Sequence, residues 1–250
     1  MTLGDPIPIE RMVAGSCWQL CAGVNGFGGS TSEDLVTQAL RGRSFQVMDD
    51  SLKDYGDVSE CFRFKVKLLE DGYICWFEFS EVVCKALARD QWQPVLLSKS
   101  EIQKRIPNIL SWIEAAAQRN NQYLWGGTIG PDFDCSGLVQ TAFATQDIWL
   151  PRDAYQQESF CQALDISVFD FQLLCPGDLL FFGTSKECTH VAIYKGEGIY
   201  FHSSGINNGR NGIGSDGIGL SDDNPVASYY RSHLRGAGRV VHCHDGMTLP

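Results

Sequence analysis

The chain lacks the features that would take it across or into a membrane. Its first residues, MTLGDPIPIE, hold no basic stretch followed by an apolar run, and VAGSCWQLCAGVNGFGG is too short and too polar for a signal or a span. Basic charge is also scarce: 20 Lys and Arg stand against 30 Asp and Glu, for a net charge of −10. Nucleic-acid binding normally needs a basic face, and anionic wall polymers or lipid headgroups repel an acidic one. The expected partner is therefore a small soluble substrate, with no nucleic acid and no membrane, and a monomer is favoured. No internal repeat or low-complexity tract occurs. The ten cysteines form no small-domain disulfide framework, so reduced thiols and a cytoplasmic location are expected.

Two further absences limit the chemistry. The Gly-rich GINNGRNGIGSDGIG at 205–219 lacks the Gly-Lys-Ser/Thr of a phosphate loop and reads as a surface loop beside a cleft. His242, Cys243 and His244 on a strand would set only two histidines on one face, with no spaced second pair, so neither a metal nor a cofactor is expected.

What is present is a cysteine at a helix start. In FDCSGLVQTAF, Leu138, Val139, Ala142 and Phe143 recur at helical spacing, and the preceding YLWGGTIGPDFD is rich in Gly, Pro and Asp. Cys135 therefore falls in the first helical turn, where backbone N–H groups and a nearby imidazolium would favour the thiolate at neutral pH. Gly137 leaves room there for a substrate backbone. Two histidines follow in CTHVAIYKGEGIYFHSSG, which reads as strands over 190–194 and 198–202 around a glycine-bearing turn. A turn centred on Gly196 would put His190 and His202 directly opposite each other on one face, which requires a three- or five-residue loop or a bulge.

These segments together resemble a known family. Tyr123 to Gly127 (YLWGG), Asp134 to Gly137 (DCSG), Pro176 to Phe182 (PGDLLFF), Thr189 to Tyr194 (THVAIY) and Phe201 to Ser204 (FHSS) look like NlpC-type cell-wall cysteine peptidases, in the family's order and over about 140 C-terminal residues. The resemblance implies a papain-like α+β core, helices packed on an antiparallel sheet, that cleaves peptidoglycan stem peptides, commonly between γ-D-glutamate and a diamino acid. It makes Cys135 the nucleophile, His190 the general base and acid, and His202 the group that orients His190. The backbone N–H of Cys135 and the Tyr123 hydroxyl are candidate oxyanion donors. Asp134 beside the thiol would oppose its ionisation unless something offsets the charge. By resemblance Asp134 holds the free amine of an N-terminal L-alanine; on sequence grounds it is equally a helix N-cap. Ser136, Arg152 and Asp153 are further substrate-binding candidates, although the last two could form a surface ion pair.

The first part has a different texture. CFRFKVKLLEDGYICWFEF alternates strictly, with Phe62, Phe64, Val66 and Leu68 on one face and Arg63, Lys65 and Lys67 on the other, before Glu70-Asp71-Gly72 turns into a second strand. LVTQALRGRSFQVMDD adds two short strands around Gly42. The region resembles a bacterial SH3-like all-β barrel, which in related enzymes borders the active site; Tyr73 is then a candidate substrate contact, against packing of its ring in the barrel. The expected organisation is a barrel over 1–90, a linker over 91–104 and a catalytic domain over 105–250, with Pro107 at the first position of a helix ending near Asn120. The function expected is a γ-D-glutamyl-diamino acid endopeptidase of murein peptide recycling. An acyltransferase or amidase on the same core, and a non-catalytic wall-peptide binding protein, are the alternatives.

Overall fold

The computed structural model describes residues 11–49, 62–83, 85–166, 170–219 and 224–247. It divides into two compact units, one of residues up to Pro94 together with those from Asp245 onward, the other Val95–His244.

Alternating side chains build the first unit. Strands β1 (Cys17–Leu20), β2 (Val24–Phe27), β3 (Leu35–Ala39), β4 (Ser44–Val47), β5 (Arg63–Leu68) and β6 (Ile74–Glu78) are followed by a short helix α1 (Phe79–Val82) and strand β7 (Ala86–Arg89). They join in an antiparallel sheet in the order β3-β2-β6-β5-β4-β1-β7. In β5 the residues Phe64, Val66 and Leu68 point into the core while Arg63, Lys65 and Lys67 lie half-buried outside, as the period of two requires. The charged ends of the outer residues lie over aromatic faces: the Arg63 guanidinium 3.4 Å from the Phe27 ring centroid and Lys65 Nζ 5.2 Å from that of Trp76. The turn at Glu70-Asp71-Gly72 is present but not exposed. Arg43 pairs there with Glu70 at 2.9 Å and Asp71 at 2.8 Å, all three buried. The Tyr73 ring packs against this unit's own core.

The second unit is a helical layer on a sheet. Helices α2 (Lys99–Ala117), α3 (Cys135–Ala144) and α4 (Ala154–Phe160) precede a short strand β8 (Gln162–Leu164), and then come β9 (Leu179–Gly183), β10 (Cys188–Gly196), β11 (Ile199–Ser204), β12 (Gly212–Gly217), α5 (Pro225–Ser232) and β13 (Leu234–Arg239). The sheet runs β12-β11-β10-β9-β13-β8 and is antiparallel throughout. The class is α+β, with α3 packed between α2 and strands β10 and β11. That position buries α3 on all sides and not on one stripe only.

Three expectations are corrected here. Residues 99–104, expected in a linker, are the first turns of α2, because Ser98 and Glu101 form a reciprocal capping box. Pro107 consequently lies inside that helix and not at its start. The Gly-rich segment is no simple surface loop: β12 pairs along the whole of β11, from Ile199↔Gly217 to Ser204↔Gly212.

Candidate active site

Cys135 is the first residue of α3, and Asp134 caps the helix. The Asp134 carboxylate accepts the N–H of Gly137 at 2.6 Å and of Gly126 at 2.9 Å, the Ser136 hydroxyl at 3.3 Å, and both terminal nitrogens of Arg152 at 3.2 and 2.5 Å. A carboxylate has about four lone-pair sites, so five donors of the chain itself leave none open for a substrate amine. The capping role is the one the structure shows. Arg152 is not in a surface pair with Asp153: it is 2% exposed and also donates to Ser136 Oγ at 2.9 Å. Its guanidinium supplies the offset that a carboxylate beside a nucleophile requires. Asp153 is the half-buried N-cap of α4.

Gly137 serves the chain and not the substrate. A Cβ there would run into the carbonyl oxygen of Gly127, and Gly127 O in turn accepts the N–H of Asp134 at 3.2 Å. The small residue lets the YLWGG turn lie directly on the helix start.

Burial pushes the Cys135 thiol up to about 12, and Asp134 pushes the same way, while N–H bonds from Val191 and Ser136 and the charge of Arg152 pull it back. The helix start is buried, at 6% exposure, so desolvation opposes the helix-end field that favours the thiolate.

The Val191 N–H belongs to the residue after His190, so β10 carries the base to the sulfur. Strands β10 and β11 pair Ile193 with Phe201 and Tyr194 with Tyr200, with a bulge between Tyr194 and Gly196. Glu197 and Gly198, at φ 53° and 77°, make a two-residue turn of the kind that suits twisted strands. Because the turn is centred there and not on Gly196, the register sets His202 against Ala192. The histidines share a face as expected, but as diagonal neighbours and not directly opposite. Their rings meet at 86°, with His190 Nε2 2.8 Å from His202 Nδ1. Burial pushes His190 well below the ordinary imidazole value, helped by His202; His202 is lowered by burial and partly restored by Asp216.

Sequence reasoning missed three residues. Asp216 Oδ2 lies 2.7 Å from His202 Nε2, and Arg210 holds Asp216 through both oxygens at 2.7 and 2.8 Å. Tyr230 stacks on His190 at 4.3 Å and shares a hydrogen bond with Ser204 at 2.7 Å. The only sequence signal was the Asp in the Gly-rich segment, whose strand character small residues conceal. Tyr123 and His190 line a cavity of about 420 Å³ with Trp125, Asn208 and Tyr230. Burial raises the Tyr123 phenol above its ordinary value, and a charge on Cys135 would add to the shift. His242 and His244 follow the end of β13 and pack on the Phe160 ring. Among the described residues no helix is long and apolar enough to cross a membrane.

Residues 120–238 match the NlpC/P60 family model, and residues 29–80 match the bacterial dipeptidyl-peptidase Sh3 domain. The chain is 37% identical over 132 residues to the bifunctional muramidase/DL-endopeptidase CwlT of Bacillus subtilis, covering 51% of this chain and 35% of that one. It is 38% identical over 84 residues to the gamma-D-glutamyl-L-lysine dipeptidyl-peptidase of Bacillus cereus, covering 32% of this chain and 24% of that one. The chain thus spans about a third or less of these curated relatives. A solved NlpC/P60 family protein from Bacillus cereus superposes with a TM-score of 0.44 at 19% identity, covering 93% of this chain and 66% of that one.

Proposed function

For a chain that carries an NlpC/P60 domain behind a bacterial dipeptidyl-peptidase Sh3 domain, we propose a cysteine endopeptidase that hydrolyses the γ-D-glutamyl-diamino acid bond of peptidoglycan stem peptides. Its substrates are short released muropeptides with a free N-terminal L-alanine, met in the cytoplasm during murein recycling. The observation that carries the reading is the Cys135 thiol at a helix start against β10, beside the His190–His202 pair. The name of the Bacillus cereus relative supports the bond.

The chemistry uses the Cys135 thiol and the His190 imidazole. As Cys135 Sγ bonds to the amide carbon, its proton passes to His190, and the carbonyl electron pair moves onto oxygen. The Cys135 N–H and the Tyr123 hydroxyl are the donors assigned to that oxyanion. His190 then protonates the leaving amine as the C–N bond breaks. A water gives its proton to His190 and attacks the thioester, and the returning proton frees the thiol.

Incubation with L-Ala-γ-D-Glu-diaminopimelate beside its N-acetylated form tests the reading. Release of L-Ala-γ-D-Glu from the free peptide alone is expected, with none from the Cys135→Ala variant. Equal cutting of the blocked peptide would remove the free-amine requirement. If neither is cut, yet iodoacetamide labels Cys135 faster than it does in a His190→Asn variant, the reaction is acyl transfer or amidase chemistry elsewhere. Labelling at the same rate in both would leave a wall-peptide binding protein.

A further inference from the structure

Beyond the Cys135–His190–His202 arrangement, the structure assigns a positioning role to Asp216, held by Arg210: it dictates which nitrogen of each histidine carries the proton. The inference rests on the proposed use of His190 as base.

The argument is a count of donors. A carboxylate gripped through both oxygens by a guanidinium is an acceptor only. The bond at 2.7 Å between Asp216 Oδ2 and His202 Nε2 therefore takes its proton from His202. His202 is fully buried, which disfavours a second ring proton, and its one proton is on Nε2. Its Nδ1 is then an acceptor, and the 2.8 Å bond to His190 takes its proton from His190 Nε2. Burial likewise disfavours a second proton on His190, which leaves its Nδ1 bare. That is the state a base needs in order to accept a thiol proton. When Nδ1 takes the proton, no hydrogen bond in the relay has to reverse, and the Asp216 charge stabilises the imidazolium through His202.

A second observation shows that the chain makes space for the clamp. Gly214 is the residue opposite His202 in the β11–β12 pairing, and a Cβ on it would run into the Arg210 guanidinium. Arg210 lies in the slot that the missing side chain leaves, and from there it reaches Asp216. Around the relay are Tyr230, which meets both rings, Phe182, whose ring lies 5.8 Å from that of His190, and Tyr200, whose ring lies 5.2 Å from that of His202.

Nitrogen-15 NMR of histidine-labelled full-length protein reads the protonated nitrogens directly, with signals assigned from His190 and His202 variants. The wild type is expected to show protonated Nε2 and bare Nδ1 on both residues; the opposite pattern would overturn the inference without any further variant. Asp216→Asn offers His202 an amide donor and is expected to reverse both tautomers and slow Cys135 alkylation at pH 7 at least tenfold. Asp216→Ala should lose the single tautomer, whereas Asp216→Glu keeps an acceptor and restores most of the rate. Retention of the wild-type pattern in the alanine variant, or unchanged alkylation in both the asparagine and alanine variants, would sink the assignment. Because tautomers are read without substrate, a wild type with the expected pattern but no peptidase activity would refute the function and leave the role of Asp216 standing.

Discussion

Beside a carboxylate, a buried thiol depends on whatever neutralises that carboxylate. Arg152 does so for Cys135 by pairing with Asp134 in a buried, two-pronged contact. Removing one partner of such a pair leaves the other charged and desolvated. Arg152→Leu is therefore expected to cost about 3–5 kcal/mol in urea unfolding and to slow Cys135 alkylation by raising the thiol further. The histidines give a pH signature. Both are held below their ordinary value, so the unfolded chain binds protons that the folded one refuses. Stability from this source is complete above about pH 6.5 and is lost as pH falls through the depressed values. Calorimetry from pH 7.5 down to 5 should show the unfolding temperature dropping below that point, less steeply in His190→Asn. The cysteine and both histidines were legible as motif residues; Arg152 as the partner of Asp134 was not, because the two are 18 residues apart and meet only across the folded core.

At the scale of elements, the periodic patterns were readable and the junctions were not. The alternation in β5 and the apolar spacing in α3 appear where expected, since each is set by the geometry of its own backbone. Helix α2 starts eight residues before Pro107, because the Ser98–Glu101 capping box sets its first turn and proline's preference for that turn does not. The hairpin face was right and its register was shifted, since the turn conformation at Glu197 and Gly198 depends on positive φ angles that a glycine-rich stretch offers at several places. The close approach of the YLWGG turn to α3 gives a sharp test. Gly137→Ala puts a methyl group into the Gly127 carbonyl and is expected to abolish the cooperative unfolding transition or lower its midpoint severely. A near-normal midpoint by circular dichroism would show that the turn can yield.

For the molecule as a whole, each unit has its own core. The cluster around Phe45, Phe64 and Phe77 lies entirely in the first, and those around Leu138 and Val191 and around Tyr200 and Tyr230 lie entirely in the second. A segment that holds its own core is expected to fold by itself. Residues 95–244 expressed alone should therefore unfold cooperatively and keep the near-ultraviolet circular dichroism of the aromatic cluster around His190. A non-cooperative transition would mean that the first unit completes the second.

The sequence by itself determined the two textures, the α+β class, the cysteine at a helix start and the two histidines on one face. Periodicity and turn chemistry are local and survive in a string of letters. Only the tertiary structure decided which charges meet: Arg152 with Asp134, Arg43 with Glu70 and Asp71, and Arg210 with Asp216 behind His202. It also decided that Cys135 is buried, which opposes its ionisation. These outcomes depend on burial, which changes the energy of a charge far more than any neighbour in sequence does, and burial exists only once distant segments have packed.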